Sequence, residues 1–170
     1  MTRGFLTSVI GFLVYALLQV MLFQELVLFR YAFCLIYVAY ILLLPMETNS
    51  LTLMILGFIL GLFVDMFYNS LGIHASSLVM VAYLRNYWLG VITPQGGYDA
   101  GLAPTLAANG LQWFMVYIIP LVFLHHTFLF FTEAGGFGLF WFTVLKIMAS
   151  TVFTSGMIIV LQYLAGGSRR

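Results

Sequence analysis

The chain has 170 residues, of which 64% are apolar and 6% charged, against roughly 25% charged in an ordinary soluble protein. A chain this short cannot hide that much apolar surface from water. With six Lys+Arg, five Asp+Glu and one cysteine, it has neither a basic nucleic-acid footprint nor a disulfide framework. An integral membrane protein remains, and its long apolar runs, without the alternation of barrel strands, point to an all-α one.

Each crossing helix needs about 20 apolar residues. The first is expected at residues 5–23, and is too long for a signal-peptide core despite Arg3 before it. The second is expected at 27–44, stopped by Pro45, whose ring breaks the hydrogen-bond ladder. Asn49 or Ser50 can cap the third, 50–67, and Tyr68-Asn69-Ser70 turns the chain into the fourth, 71–92. A Gly/Pro-rich loop from Thr93 to Pro104 leads to the fifth, 105–131, with Pro104 suited to its first turn. Glu133-Ala134-Gly135-Gly136 leads to the sixth, 138–164. The expected architecture is a single six-helix transmembrane domain over 1–170, with no loop large enough for a soluble domain. Arg3 and Arg169-Arg170 place both termini in the cytoplasm by the positive-inside bias. Arg85 then falls near the inner end of the fourth span, beside Tyr83, Tyr87 and Trp88 as an interfacial belt.

Asp65 is the main anomaly. It closes the run Gly57-x-x-x-Gly61-x-x-x-Asp65, whose spacing of four puts all three on one helix face, with glycines that permit close helix approach. A carboxylate in an apolar run needs a partner. The N-terminus of the fourth helix, Arg30 and Lys146 are the available ones, and either a structural tie across the turn or a ligand, proton or partner role is open. Lys146 precedes Ser150, Thr151, Thr154 and Ser155 on one helix: a snorkelling lysine with locally satisfied hydroxyls, or a polar stripe facing a cavity or partner. His74, His125 and His126 fall toward the outer side. The adjacent pair diverges by about 100° on one helix, so no metal site is expected and interfacial histidines are. Tyr98 and Asp99 make the Thr93–Pro104 loop a candidate cytoplasmic docking segment, or a glycine-set turn. No Ser/His/Asp set, H-E-x-x-H motif or phosphate-cradling loop occurs, so neither catalysis nor a cofactor is expected.

The stretch Gly57-Phe-Ile-Leu-Gly61-Leu-Phe-Val-Asp65, continuing through Leu71-Gly72-Ile-His-Ala75 and followed by Tyr83-Leu-Arg85, resembles the signature of the rod shape-determining MreD family. His125-His126 leading to Glu133 looks like a Bacteroidetes-type member. The resemblance covers about 30 residues; elsewhere it is one of hydrophobic helices alone. It implies a multi-pass protein of the bacterial inner membrane with a fold like the six-helix substrate-binding subunits of energy-coupling-factor vitamin transporters. It implies no enzymatic activity. It also implies work with an MreC-like single-span scaffold, linked to a RodA-type glycosyltransferase, a penicillin-binding transpeptidase and the MreB filament in peptidoglycan synthesis and cell shape. Gly57, Gly61, Asp65 and Gly72 are the motif positions. A vitamin-binding transporter subunit is the alternative, with Asp65, His74, His125 and Lys146 lining an outer cavity. A groove between helices could hold a lipid.

Overall fold

The structure, a computed structural model, describes residues 2–98 and 101–166. Asp99, Arg169 and Arg170 lie outside the described residues. Helix α1 (Thr2–Leu18) runs into a π-helical turn, Gln19–Phe23. A small hairpin follows, β1 (Val27–Leu28) and β2 (Ala32–Phe33), and then a short helix, α2 (Val38–Leu43). The remaining helices are α3 (Ser50–Tyr68), α4 (Ile73–Val91), α5 (Leu106–Asn109), α6 (Leu111–Glu133) and α7 (Phe140–Gly166). Among the described residues, four stretches are long and apolar enough to cross a membrane: Leu6–Phe23, Ser50–Tyr68, Leu111–Glu133 and Phe140–Ala165. The chain is thus a mostly helical membrane protein.

Local chemistry explains the boundaries. Asn49 caps α3 by accepting the Leu51 N–H at 2.8 Å, and Asn69, in the left-handed conformation at φ 52°, ends it. Leu44 turns to extended backbone ahead of Pro45, which stops α2. Gly110, at φ 78°, separates α5 from α6, so the fifth expected span is a one-turn helix and a long one. Pro120 sits inside α6, where its missing N–H leaves the Val116 carbonyl without its helical donor. The Trp88 indole of α4 donates to that carbonyl at 3.3 Å.

The segment 27–44 is where the structure departs most from the expected helices. It is a hairpin with a three-residue tip, an extended stretch and a helix of six residues. Nevertheless it is the centre of the molecule, since every residue from Cys34 to Leu42 is buried. Non-helical backbone is tolerated at membrane depth only where protein satisfies it. Helix α7 does so here. The Phe33 N–H donates to Ser150 Oγ (2.9 Å) and the Leu35 N–H to Thr154 Oγ1 (3.1 Å). Ser150 Oγ donates in turn to the Tyr31 carbonyl at 3.3 Å. The Thr154 proton is shared between the Phe33 carbonyl and His126 Nε2, both at 3.2 Å. Of the hydroxyl stripe of α7, Ser150 and Thr154 therefore bind a neighbouring backbone, while Thr151 Oγ1 and Ser155 Oγ are buried without a hydrogen-bond partner.

The helices wrap this segment. α3 packs on α4, α4 on α6 and α6 on α7. α1 is held more lightly, seated over the Tyr40 ring, with Phe12 edge-on at 5.6 Å and a Cβ at Gly11 lying 3.6 Å from it. The hairpin, the α3–α4 turn and the α6–α7 loop share one end of the bundle, as Gln24 bonds Phe67 and Tyr31 stacks edge-on against Phe142. At the opposite end the 45–49 turn is joined to the 92–105 loop through Met46 N–H to the Leu102 carbonyl at 3.1 Å.

Candidate functional site

The α3–α4 joint brings the four motif residues together. Gly61 lets the helices touch at backbone distance: a Cβ there would stand 2.3 Å from Ala75 Cα. Gly57 is looser, its Cβ position 3.4 Å from the Leu78 carbonyl. One turn on, Asp65 reaches the start of α4. That helix begins at Gly72, φ 80°, whose lack of a side chain leaves the first-turn N–H groups without an ordinary cap. Asp65 supplies it from the preceding helix. Oδ1 accepts the His74 N–H and Oδ2 the Ala75 N–H, both at 3.0 Å. Ser70 Oγ donates to Oδ1 at 2.5 Å, and His74 Nδ1 lies 3.0 Å from it. Of the partners open in the sequence, the helix N-terminus is the one used. Arg30 is exposed at the hairpin tip, and Lys146 pairs with Glu133 at 2.7 Å while its ammonium lies over the Phe33 and Phe130 rings.

The joint continues into a polar network through the core. His74 packs against the rings of Tyr68 and Tyr37, and Tyr37 Oη lies 2.9 Å from His125 Nε2. Gln19, in the π turn of α1, donates to Tyr68 Oη (2.7 Å) and the Cys34 carbonyl (3.2 Å) and accepts the Tyr37 N–H (3.3 Å). His126 Nδ1 donates to the Val122 carbonyl of its own helix at 2.7 Å. His125 and His126 are thus fully buried, not interfacial as expected, because Tyr37 and Thr154 give both rings partners inside. His125 Nδ1 is left without one. Among the described residues no group of three or more His, Cys, Asp or Glu is gathered to hold a metal.

Arg85 forms a second buried centre toward the other end. Tyr83 and Tyr87 do lie exposed as an interfacial belt would, but Arg85 points the other way and is fully buried. Its Nε donates to Tyr117 Oη at 2.8 Å. Its Nη2 faces the carbonyls of Leu42, Leu44 and Pro45, the C-terminal end of α2, and Tyr117 Oη donates to Leu42 as well. A cation suits carbonyls left unpaired at a helix C-terminus. Asn86 beside it donates to the Thr48 carbonyl and Ser50 Oγ. Tyr98 is half-buried, donating to the Leu89 carbonyl at 3.2 Å and packing edge-on against Trp113, so it braces its loop.

Two apolar grooves flank α1. One, about 460 Å³, lies toward α3 and is lined by Val9, Phe12, Leu13, Tyr40, Pro45 and Leu56 among others. The other, about 330 Å³, is lined by Gly11, Tyr15, Leu43 and Ala103. Sequence reasoning missed Gln19, Tyr37 and Tyr117, the residues that knit the core. Their signal was a polar group facing inward from an otherwise apolar run.

Asp65→Leu is expected to cost about 3–5 kcal/mol in detergent unfolding, because it strands two buried N–H groups and a histidine together. Asp65→Asn keeps one acceptor and is expected to cost less than half as much. Equal stability of Asp65→Leu and the native protein would show that the cap contributes nothing.

No family model, curated protein or solved structure matches this chain.

Proposed function

We propose that the protein is a non-enzymatic membrane adaptor of the MreD kind, serving the bacterial cell-wall elongation complex by binding the transmembrane helix of an MreC-like scaffold. In this reading it lies in the inner membrane and crosses six times, with the 31–44 segment and α4 as crossings and both termini cytoplasmic. RodA-type and transpeptidase partners are reached through the scaffold. The carrying observation is that the motif residues form one joint, Gly61 against Ala75 and Asp65 on the first turn of α4, so the signature has a definite structural meaning in this chain. The open groove beside α1, on a chain of short connections, fits a protein whose work is lateral contact in the bilayer.

The test is recovery of the tagged protein from its native membranes in mild detergent, with mass spectrometry of what accompanies it. An MreC-like protein is the expected companion, and Leu13→Trp, which fills the groove from an exposed position, is expected to reduce its recovery without lowering thermal stability. An ATPase module in its place would support a vitamin-transporter subunit. Free monodisperse protein after co-expression with the scaffold would overturn the adaptor reading.

A further inference from the structure

We propose that the hairpin tip and the start of α7 form one lipid-facing anchor, seated where phospholipid headgroups meet acyl chains. The tip is Phe29-Arg30-Tyr31, with Phe29 at φ 53° and Arg30 at φ 66°, both in the left-handed region that ordinary residues avoid. Phe29 is 87% exposed, so burial of its ring is not what holds this turn. The stem cannot withdraw it, because Ser150 and Thr154 of α7 clamp the backbone just behind. Tyr31 then meets Phe142 edge-on at 5.4 Å, which joins the tip to a second exposed group, Phe137 and Trp141, at 73% and 81% exposure.

Three features identify the occupant as a lipid surface. The patch lies at the ends of two membrane-length helices, where α6 stops at Glu133 and α7 starts at Phe140. Its Tyr31 and Trp141 are of the types enriched where a bilayer meets water, and Arg30 sets a cationic head between Phe29 and Tyr31. Charge is also complementary. Glu133 is taken by Lys146, and Glu25, exposed at the foot of the hairpin, makes no ion pair with Arg30, so the guanidinium is exposed, without an ion pair among the described residues, and matched to a lipid phosphate. A second copy of this chain seated here would keep the surface dry and shielded from lipid, which the test distinguishes.

Cysteine is placed singly at Phe29, Trp141 or Val152 on a Cys34→Ala background and spin-labelled after reconstitution in phosphatidylcholine vesicles, with or without phosphatidylglycerol. All three label sites are strongly exposed, so packing is undisturbed. Val152 lies eleven residues along α7 from Trp141, about 16 Å deeper by helix rise. Oxygen collisions are expected to exceed those of a water-soluble nickel chelate at positions 29 and 141, at shallow depth, and still more at 152. Phosphatidylglycerol is expected to deepen the label at 29, and Arg30→Gln to abolish that shift. Nickel-dominated relaxation at 29 and 141, or shielding from both reagents, would overturn the anchor. A lipid-charge shift that survives Arg30→Gln would overturn the role of the arginine.

Discussion

Gly61→Val is expected to abolish the close packing of α3 on α4 and to leave little folded protein in mild detergent. A single added Cβ already falls 2.3 Å from Ala75 Cα and 2.6 Å from Ala75 N. These are backbone atoms, so no rotamer change relieves the clash and the helices must separate. Overpacking a core costs about 1–3 kcal/mol, occasionally more, and rigid backbone on the far side puts this case at the upper end. Separation would also draw Asp65 from the His74 and Ala75 N–H groups one turn away, so both halves of the joint fail together. Two controls make the result specific. Gly57→Ala meets its neighbour at 3.4 Å and is expected to cost little, and Gly90→Ala, with nothing within 4 Å, is expected to be neutral or stabilising by up to about 1 kcal/mol. Unfolding followed by circular dichroism orders the three. A Gly61→Val protein as stable as the native one would show that α3 and α4 do not approach this closely.

Arg85→Met is the second large effect. Burying a guanidinium without a carboxylate is costly, so replacement by an apolar side chain of similar length could stabilise. The direction is decided by what the arginine leaves behind. The Leu44 carbonyl lies at the end of a six-residue helix with a proline next and has no other donor among the described residues, whereas the Pro45 carbonyl keeps the Thr48 N–H at 3.1 Å and the Thr48 hydroxyl at 2.7 Å. Each buried group left unpaired costs about 1–3 kcal/mol, and the Tyr117 hydroxyl keeps only its bond to Leu42. A net loss of about 1–3 kcal/mol is expected by that reckoning. Arg85→Lys is expected to recover little of it, because one ammonium cannot span Tyr117 and the carbonyl row together. The same unfolding measurement decides. A stabilised Arg85→Met would mean that the desolvation of the charge outweighs its bonds.

The long helices were legible because an apolar run of membrane length has few other structures open to it, and Asn49, the Asn69 turn and Pro45 act locally. The Gly57–Gly61–Asp65 face was legible for a similar reason: spacing alone put the three together, and a carboxylate there needed a nearby positive end. Segment 27–44 was not legible, because a continuous apolar stretch buried on every side has no periodicity to separate strand from helix. The missing information lay more than a hundred residues away, in Ser150 and Thr154. Likewise nothing local distinguishes a histidine that faces lipid headgroups from one that faces Tyr37, and the burial of His125 and Arg85 follows from neighbours that only the fold supplies.

The clamp between α7 and the 31–35 backbone also constrains the order of assembly. Its bonds join residues 117 to 121 positions apart, so during synthesis the segment enters the membrane long before its partners exist. Until α7 arrives, Gln19 can serve the Cys34 carbonyl and the Tyr37 N–H, but the Phe33 and Leu35 N–H groups lack their side-chain partners and must remain hydrated at the surface or pair provisionally within a helix. Helix α7 is therefore the one that admits the centre of the protein to its place. A chain stopped before Ser150 would present an unfinished core to the quality-control proteases of the membrane.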